Sequence, residues 1–197
     1  MYIAFEGIDG CGKTTQIEMM KALNLSNIAY IKEPYYFNDA IKNLLINRRY
    51  ASPAAHSLLF MAAHAELVAK WPKAQHVISD RSIYSSLAYT YGYNGNLAQK
   101  VRSIMKITNT LTYPDIVFYF KISIPVLESR LSRRKGKDKI ESLSFSYYYR
   151  VQKFYNEASQ EPGKSKWIVL DATKKPKALH KDIMKHLATE ILGGNNI

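Results

Sequence analysis

The residues with the plainest chemical meaning lie near the N-terminus, in a glycine-rich stretch that ends in Lys13, Thr14 and Thr15. This stretch matches the G-x-x-x-x-G-K-[ST] pattern at every fixed position. Glycines let the backbone turn its N–H groups toward a phosphate, and a following helix adds its positive N-terminal end. Lys13 would reach the β- and γ-phosphates, and Thr14 would offer its hydroxyl to Mg²⁺. The predicted ATP-binding loop consists of Gly7, Ile8, Asp9, Gly10, Cys11, Gly12, Lys13, Thr14 and Thr15.

Further polar residues follow two other apolar segments, at Glu33 and at Asp80-Arg81. Asp80 would organise water around Mg²⁺, and Arg81 would clamp phosphate oxygens with its planar guanidinium. Glu33 would accept a proton from a substrate hydroxyl or help to hold the metal's water shell. The ordinary alternatives are a surface ion pair for Asp80-Arg81 and an exposed acid at a turn for Glu33. We expect function at both places, because ligands gather beyond the carboxyl ends of parallel strands.

A third candidate is a basic segment around Gly136. Such a run of charge usually marks a solvated turn. A mobile lid over the nucleotide, at about residues 130–142, explains more, because its closure would exclude water and bring arginines to the transferring phosphate. Arg130 and Arg134 are therefore predicted to bind ATP. The basic residues of the segment are Arg130, Arg133, Arg134, Lys135 and Lys137.

Aromatic and histidine side chains are weaker candidates for binding a nucleotide base. Phe60 and Tyr89 could stack on a base, although a lone aromatic residue on a helix more often packs in a core. His64 could hydrogen-bond a base, and an ordinary half-buried histidine is an equal alternative. The tyrosines at 147–149 are consecutive on a predicted helix, so at least one of them must face solvent or a pocket. Cys11 has no histidine near it in sequence and is not expected to be a nucleophile.

Regular elements must hold these residues, and strand and helix patterns alternate along the chain. Predicted strands cover residues 2–5, 27–31, 76–79, 115–120 and 167–170. Predicted helices cover about 15–23, 39–47, 53–70, 83–91, 97–108, 124–134, 142–158 and 176–192. Such alternation produces a parallel sheet covered by helices on both faces. We expect an α/β P-loop NTP hydrolase fold with a five-stranded parallel sheet and a short helical lid, formed as a single domain of residues 1–197.

Net charge, cysteine content and the length of apolar runs limit which partners and which cellular compartment are expected. The chain has 197 residues and a formal net charge of +12, which suits an anionic partner, either a nucleotide or a nucleic acid. Cys11 is the single cysteine, so an internal disulfide is excluded and a reducing compartment is expected. The first predicted strand begins at Tyr2, and no apolar run is long enough to cross a membrane. We therefore expect a cytoplasmic protein with no membrane partner.

Together these motifs resemble the thymidylate kinase family over about residues 1–190. Phe5-Glu6 before the loop and Gln16 after it are similar to the family's opening motif. The arginines lie in the lid and Gly10 stands in the loop, as in the bacterial type. The later matching motifs are Lys32-Glu33-Pro34, Leu58-Leu59-Phe60, Asp80-Arg81-Ser82 with Ser85, Ala88 and Tyr89, Pro114-Asp115, Arg130 and Arg134 with residues 138–141, and Arg150-Val151 with Tyr155.

The resemblance implies an ATP- and Mg²⁺-dependent enzyme that phosphorylates dTMP to dTDP, usually as a homodimer joined through long apolar helices such as residues 53–70. It implies that Asp9 contacts the sugar 3′-hydroxyl and that Lys42 and Arg81 hold the acceptor phosphate. Thr14 and Asp80 are the expected metal-site residues. The expected catalytic residues are Lys13, Glu33, Asp80, Arg81 and Arg134. The expected substrate-binding residues are Asp9, Glu33, Lys42, Phe60, His64, Arg81, Ser85 and Tyr89.

Four departures from the family pattern all touch the acceptor side. The loop after Glu33-Pro34 has Tyr35-Tyr36-Phe37 where the family has Gly-Gly-Thr. His64 replaces an arginine that usually reads a thymine carbonyl, Thr90 replaces a glutamine, and Lys42 stands where arginine is common. ATP use is therefore better supported than thymine selectivity, and we predict a relaxed choice of base.

Two other functions stay open from the sequence. Deoxynucleoside kinases share the phosphate loop, a Glu-Pro and an acidic-Arg-Ser motif, and in such an enzyme Glu33 would be the general base for a free 5′-hydroxyl. Lys42 favours a phosphorylated acceptor, because an uncharged nucleoside has less use for a cation. A P-loop nucleotide switch or a nucleic-acid-binding protein would fit the charge, but no helicase or GTPase motif follows the loop. Nucleic acid is therefore not the expected partner.

Overall fold

A computed structural model describes residues 1–34, 40, 43–44, 52–132 and 145–191. Its five strands are β1 (Tyr2–Glu6), β2 (Ile28–Lys32), β3 (His76–Asp80), β4 (Ile116–Lys121) and β5 (Lys166–Asp171). They form one sheet in the order β2-β3-β1-β4-β5, and every neighbouring pair is parallel. The predicted five-stranded parallel sheet is confirmed.

Seven helices lie within the part of the chain that is described. They are α1 (Lys13–Lys21), α2 (Pro53–Ala69), α3 (Ile83–Tyr93), α4 (Gly95–Ile107), α5 (Ile124–Ser132), α6 (Phe145–Ala158) and α7 (Pro176–Ile191). Of the predicted helix at 39–47, only residues 40, 43 and 44 are described, and they are helical. The predicted lid at 130–142 lies outside the described residues except for residues 130–132, which end α5.

Two helices begin two residues earlier than predicted, and both differences have local causes. Gly12 has a φ of +102° and starts α1 directly at Lys13. The Asn94 side chain accepts a hydrogen bond from the Leu97 N–H and caps α4 from Gly95. The start of α2 agrees with its prediction, because the Ser52 hydroxyl accepts from the Ala55 N–H one turn into the helix.

Helices cover both faces of the central strand β1, which is buried along its whole length. Tyr2 and Ala4 pack in a cluster with Leu67 of α2. Ile3 and Phe5 belong to the main core cluster, which also contains residues of α1, α6 and α7. Since successive strand residues point to opposite faces, the apolar run in β1 reflects burial on both sides.

The carboxyl ends of β1, β2 and β3 meet at one edge of the sheet, and backbone hydrogen bonds fix the segments that leave it. The Arg81 N–H donates to the Phe5 carbonyl over 3.1 Å, and the Glu33 N–H donates to the Asp80 carbonyl over 3.0 Å. The polar residues after β2 and β3 are thereby held beside the loop that follows β1. None of the described helices has the length and apolar character needed to span a membrane.

Candidate active site

The loop between β1 and α1 has two glycines at positions where a side chain would be both strained and crowded. Gly7 has a φ of +143°, and a Cβ there would lie 2.8 Å from the Phe120 carbonyl oxygen. Gly10 has a φ of +80°, and a Cβ there would lie 2.9 Å from Leu127 of α5. These positive φ values turn the loop so that its backbone N–H groups can surround an anion.

Lys13 at the start of α1 is held inside this loop. Its Nζ donates to the Gly7 carbonyl over 2.9 Å and to the Ile8 carbonyl over 3.1 Å, and the residue is only 5% exposed. The buried Cys11 thiol lies 3.5 Å from the same nitrogen. The ammonium group is thus placed where an entering phosphate could exchange for these carbonyl contacts.

Oxygen ligands suitable for a metal lie next to this lysine. The Thr14 hydroxyl donates to Asp80 Oδ2 over 2.8 Å, and Lys32 Nζ lies 3.7 Å from the same oxygen. Within the described ranges there is no cluster of three or more His, Cys, Asp or Glu residues that could hold a metal by itself. Thr14 and Asp80 together fit Mg²⁺, because this ion prefers hard oxygen ligands and usually binds through one or two protein groups, waters and substrate phosphates.

Arg81 joins the phosphate loop to α3. Its φ is +79°, and its guanidinium pairs with Asp9 and donates to Ser85 Oγ over 3.0 Å and to the Gly7 carbonyl over 3.3 Å. The Tyr89 hydroxyl donates to Asp9 Oδ2 over 2.5 Å. Burial raises the pKa of Tyr89 well above its usual value, so the phenol stays neutral and can donate. Asp9, Arg81, Ser85 and Tyr89 therefore form one connected group.

Glu33 is buried, so the alternative of an exposed acid at a turn is wrong. Its Oε2 lies 3.0 Å from His64 Nδ1, and its Oε1 accepts from the Tyr2 hydroxyl over 3.3 Å. His64 is fully buried, not half-buried. Burial alone would lower the pKa of His64, but the Glu33 carboxylate raises it above its usual value. The two side chains form a buried pair between the residue that follows β2 and the interior of α2.

Two further residues of the expected acceptor side lie on α2 and α3. Phe60 is buried, with its ring centroid 4.6 Å from that of His56 in an edge-to-face arrangement. Thr90 is also buried, and its hydroxyl lies 2.9 Å from Ser57 Oγ. α2 and α3 are therefore linked by a hydroxyl pair where the family pattern has a longer amide.

Some predicted site residues are not brought into this group. Lys42 and Arg134 lie outside the described residues. Arg130 is described at the end of α5, where its Nη2 donates to the Thr173 carbonyl over 3.5 Å. The consecutive tyrosines agree with helix geometry, since Tyr147 and Tyr148 are buried and Tyr149 is 56% exposed.

Glu6 had no predicted role, and the structure places it against Ser85, which in turn contacts Arg81. Its carboxylate is fully buried and accepts hydrogen bonds from residues of α6 and of the segment that begins α3. One signal could have found it: β1 reads Tyr-Ile-Ala-Phe-Glu, so a charged residue ends a strand that is otherwise apolar and buried. A buried charge needs partners, and that need identifies the position as unusual.

Comparisons with known proteins agree with this geometry. A family model described as thymidylate kinase matches residues 5–183. The thymidylate kinase of Fervidobacterium nodosum is 32% identical over 196 residues, covering 94% of this chain and 97% of that protein. The solved thymidylate kinase of Candida albicans has a TM-score of 0.74 at 22% identity, covering 96% of this chain and 91% of that one. The solved deoxyadenosine kinase of M. mycoides has a TM-score of 0.73 at 22% identity, covering 96% and 100%.

The two solved structures support the fold alone, because their identity to this chain is low. The family model covers most of the chain, and the bacterial relative is matched over nearly its whole length. The chain therefore belongs to the thymidylate kinase family.

Proposed function

We propose that the protein transfers the γ-phosphoryl group of ATP to dTMP, giving dTDP and ADP. One observation carries the proposal beyond family membership: Lys13 Nζ and Arg81 Nη1 both donate to the Gly7 carbonyl, over 2.9 Å and 3.3 Å. Lys13 belongs to the loop that would hold ATP, and Arg81 follows the neighbouring strand β3. Two cations that meet at one oxygen can bridge a donor and an acceptor phosphate, which is what phosphoryl transfer requires.

Each residue of this group has a defined task in the transfer. The loop N–H groups and Lys13 would hold the β- and γ-phosphates, and Arg81 would hold the acceptor phosphate in line with them. Thr14 and Asp80 would bind Mg²⁺, which neutralises charge on the phosphate oxygens when it is present. An oxygen of the acceptor phosphate forms the new bond to the γ-phosphorus, and the bond from that phosphorus to the β-phosphate oxygen breaks. No general base is needed, because the acceptor phosphate is already anionic.

The contacts of Glu33 favour this activity over a nucleoside kinase. A nucleoside kinase would need Glu33 to accept the proton of a 5′-hydroxyl. Here one carboxylate oxygen faces His64 and the other accepts from Tyr2. A carboxylate whose two oxygens are both engaged in a buried site is poorly placed to act as that base.

We further propose that base choice is relaxed. His64 stands where the family pattern has an arginine for the thymine carbonyl, and its Nδ1 faces Glu33. Thr90 contacts Ser57 where the pattern has glutamine. Both substitutions leave fewer groups free to read thymine. If dUMP and the other monophosphates were turned over more than about a thousandfold less efficiently than dTMP, this part of the proposal would be abandoned.

We propose a homodimer in the cytoplasm as the working form. Leu58 on α2 is 48% exposed, and Ile104 and Ile107 on α4 are 40% and 80% exposed. Exposed apolar residues on two helices suit a contact with a second copy of the chain. Sedimentation equilibrium tests the dimer, since Leu58→Glu should convert a dimer to monomers and would leave a monomeric protein unchanged.

The first experiment measures ADP release from Mg-ATP with thymidine and dTMP side by side, and then with dUMP, dCMP and dGMP. Turnover with dTMP and none with thymidine supports the monophosphate kinase. Turnover with thymidine alone would make Glu33 a base and overturn the acceptor assignments. A protein that turns over none of these acceptors but retains ATP would instead favour a nucleotide switch.

A further inference from the structure

Glu6 is the last residue of β1, directly before the phosphate loop, and it is fully buried. Its carboxylate accepts five hydrogen bonds. Three reach Oε1, from the Ser82 N–H and hydroxyl, each over 2.7 Å, and from the Ser85 N–H over 3.2 Å. Two reach Oε2, from the Ser85 hydroxyl over 2.6 Å and the Tyr155 hydroxyl over 2.8 Å. A buried carboxylate with this many donors is fully satisfied and held in one position.

The first set of bonds fixes the start of α3. Ser82 caps the helix, and its N–H lies at the N-terminal end, where backbone donors have no partner within the helix. The Ser85 N–H is shared between the Ser82 carbonyl, over 2.9 Å, and Glu6, over 3.2 Å. A carboxylate there is also favoured by the helix dipole. Arg81 is the residue just before this cap, and its φ of +79° is a conformation that a residue with a side chain holds only when its surroundings impose it.

The second set of bonds fixes the direction of one hydroxyl. The Ser85 hydroxyl contacts Glu6 Oε2 over 2.6 Å and the Tyr155 hydroxyl over 2.9 Å, and because a carboxylate only accepts hydrogen bonds, the shorter contact directs the Ser85 proton to Glu6. Its lone pairs then face Arg81 Nη1, which donates to Ser85 Oγ over 3.0 Å. Burial raises the pKa of Tyr155 well above its usual value, so this phenol is a neutral donor to the same carboxylate. Glu6 thus takes the Ser85 proton, which leaves the Ser85 lone pairs for Arg81, a side chain that can only donate.

We propose that Glu6 is a positioning residue, which acts through Ser85 and the start of α3 to hold the Arg81 guanidinium at the acceptor phosphate. Glu6 is fully buried and would act through the hydrogen bonds that end at Arg81. This role rests on the proposed phosphotransfer to a monophosphate. Glu6 would thus serve the binding of the acceptor phosphate, although it lies on β1, the strand that leads into the phosphate loop.

The substitution Glu6→Gln separates this role from simple structural support. The carbonyl oxygen of the introduced amide can still accept the three bonds from Ser82 and the Ser85 N–H, so the start of α3 keeps its partner. The amide nitrogen supplies protons where the carboxylate supplied lone pairs, and the Ser85 hydroxyl loses its anionic acceptor. We expect kcat/KM for dTMP to fall roughly 10- to 100-fold, the equivalent of losing one or two charge-assisted hydrogen bonds. The dissociation constant of ATP, measured by calorimetry, should stay within about twofold.

Glu18→Gln is the matched control, because Glu18 is exposed on α1 and pairs with Lys21 on the same helix. It should leave kcat/KM unchanged. A double-mutant cycle of Glu6→Gln with Ser85→Ala then tests the path. If Glu6 acts through Ser85, the Glu6 substitution should have little further effect once the Ser85 hydroxyl is gone. If the double variant lowered kcat/KM by the product of the two single effects, the proposal would be overturned. A folded Glu6→Gln protein with unchanged kinetics would overturn it as well.

Tyr155→Phe provides the deciding measurement if Glu6→Gln does not fold. It removes one donor to Glu6 and the 2.9 Å contact to the Ser85 hydroxyl, and it keeps the ring in place, so kcat/KM for dTMP should fall about threefold or more while ATP affinity is kept. Unchanged kinetics in that variant would also overturn the proposal. A wild-type protein that does not phosphorylate dTMP would refute the proposed function itself, and that outcome is seen before any variant is made.

Discussion

The phosphate loop (residues 7–15) and the acceptor side, defined as Glu33, His64, Arg81, Ser85 and Tyr89, are built in different ways. The loop is held by its own backbone, with Lys13 donating to the carbonyls of Gly7 and Ile8 a few residues earlier. The acceptor side is held by side chains from distant parts of the chain. Glu33 and His64 are 31 residues apart, and Tyr89 and Asp9 are 80 apart.

This difference explains where the family pattern is kept and where it is changed. A loop that depends on backbone geometry tolerates few substitutions, because each glycine is needed for its φ. A side-chain group can be rebuilt by exchanging one partner, as where His64 stands in place of the family's arginine beside the retained Glu33. The chain therefore keeps the phosphate loop and alters the acceptor side, and substitutions in each region should have separable effects.

The largest expected effect belongs to the donor loop. Lys13→Met should lower kcat about a thousandfold, because the ammonium would be lost from the transferring phosphate in a buried site. The dissociation constant of dTMP, measured by calorimetry, should change little. Lys21→Met is the control, since Lys21 lies on the same helix and pairs with the exposed Glu18. A kcat within tenfold of wild type would show that the loop lysine does not serve transfer.

A smaller effect is expected on the acceptor side. Arg81→Lys should lower kcat/KM for dTMP about a hundredfold, since an ammonium group cannot contact Asp9, Ser85 and the Gly7 carbonyl at once. Most of the change should appear with the acceptor as the varied substrate. Arg102→Lys is the matched control, because Arg102 donates to Tyr113, which lies before β4 and away from the loop. Equal effects of the two substitutions on steady-state kinetics would contradict the acceptor assignment.

The position of the phosphate loop between β1 and α1 could be predicted from the sequence because its signals are local. An eight-residue pattern between a strand and a helix specifies the loop, and alternating apolar segments specify the sheet. The bounds of α1 and α4 were wrong by two residues, because Gly12 and Asn94 begin those helices earlier than the apolar pattern does.

The acceptor side could be predicted only in part, because its contacts are not local. Asp9, Arg81, Ser85 and Tyr89 were each candidates, but nothing in the sequence indicates that Arg81 would pair with Asp9. The pairing of His64 with Glu33 and the burial of Glu6 depend on which strands become neighbours. Their roles in binding stay predictions.

A third effect, smaller than that of Arg81→Lys, is expected for Gly10 of the phosphate loop, with Gly163 outside the loop as its control. Gly10→Ala and Gly163→Ala both place a Cβ at positive φ, so each should lower the free energy of unfolding by about 1–2 kcal/mol. A Cβ at Gly10 also meets Leu127 and Leu131, whereas a Cβ at Gly163 meets nothing within 4 Å. Only Gly10→Ala should therefore weaken ATP binding, by roughly tenfold as the loop shifts. Equal ATP affinities in the two variants, measured by calorimetry, would show that the loop tolerates the displacement.

The smallest effect concerns stability and pH at the Glu33–His64 pair. Burial lowers the pKa of His64 and the Glu33 carboxylate raises it, with a net rise above its usual value. When folding raises the pKa of a histidine, its protonation stabilises the folded protein. This stabilisation is complete at pH values below the pKa of the unfolded state, near 6.5, and it is lost as pH rises through the pKa of the folded state. The Tm advantage of wild type over His64→Gln should therefore be larger at pH 6 than at pH 9. A change of ~1 kcal/mol corresponds to about 2–4 °C in a chain of this size, which calorimetry resolves.

His76 provides a control of opposite sign for that measurement. Burial and the nearby N-terminal amino group lower the pKa of His76, so its protonation opposes folding as pH falls. The Tm of wild type relative to His76→Gln should rise from pH 6 to pH 9, whereas relative to His64→Gln it should fall. A flat or rising difference for His64→Gln would mean that His64 is not a charged partner of Glu33. Glu33 and His64 would then be joined by a neutral hydrogen bond. The acceptor side would still differ from the phosphate loop in using side chains from distant parts of the chain, but it would not depend on a charged pair.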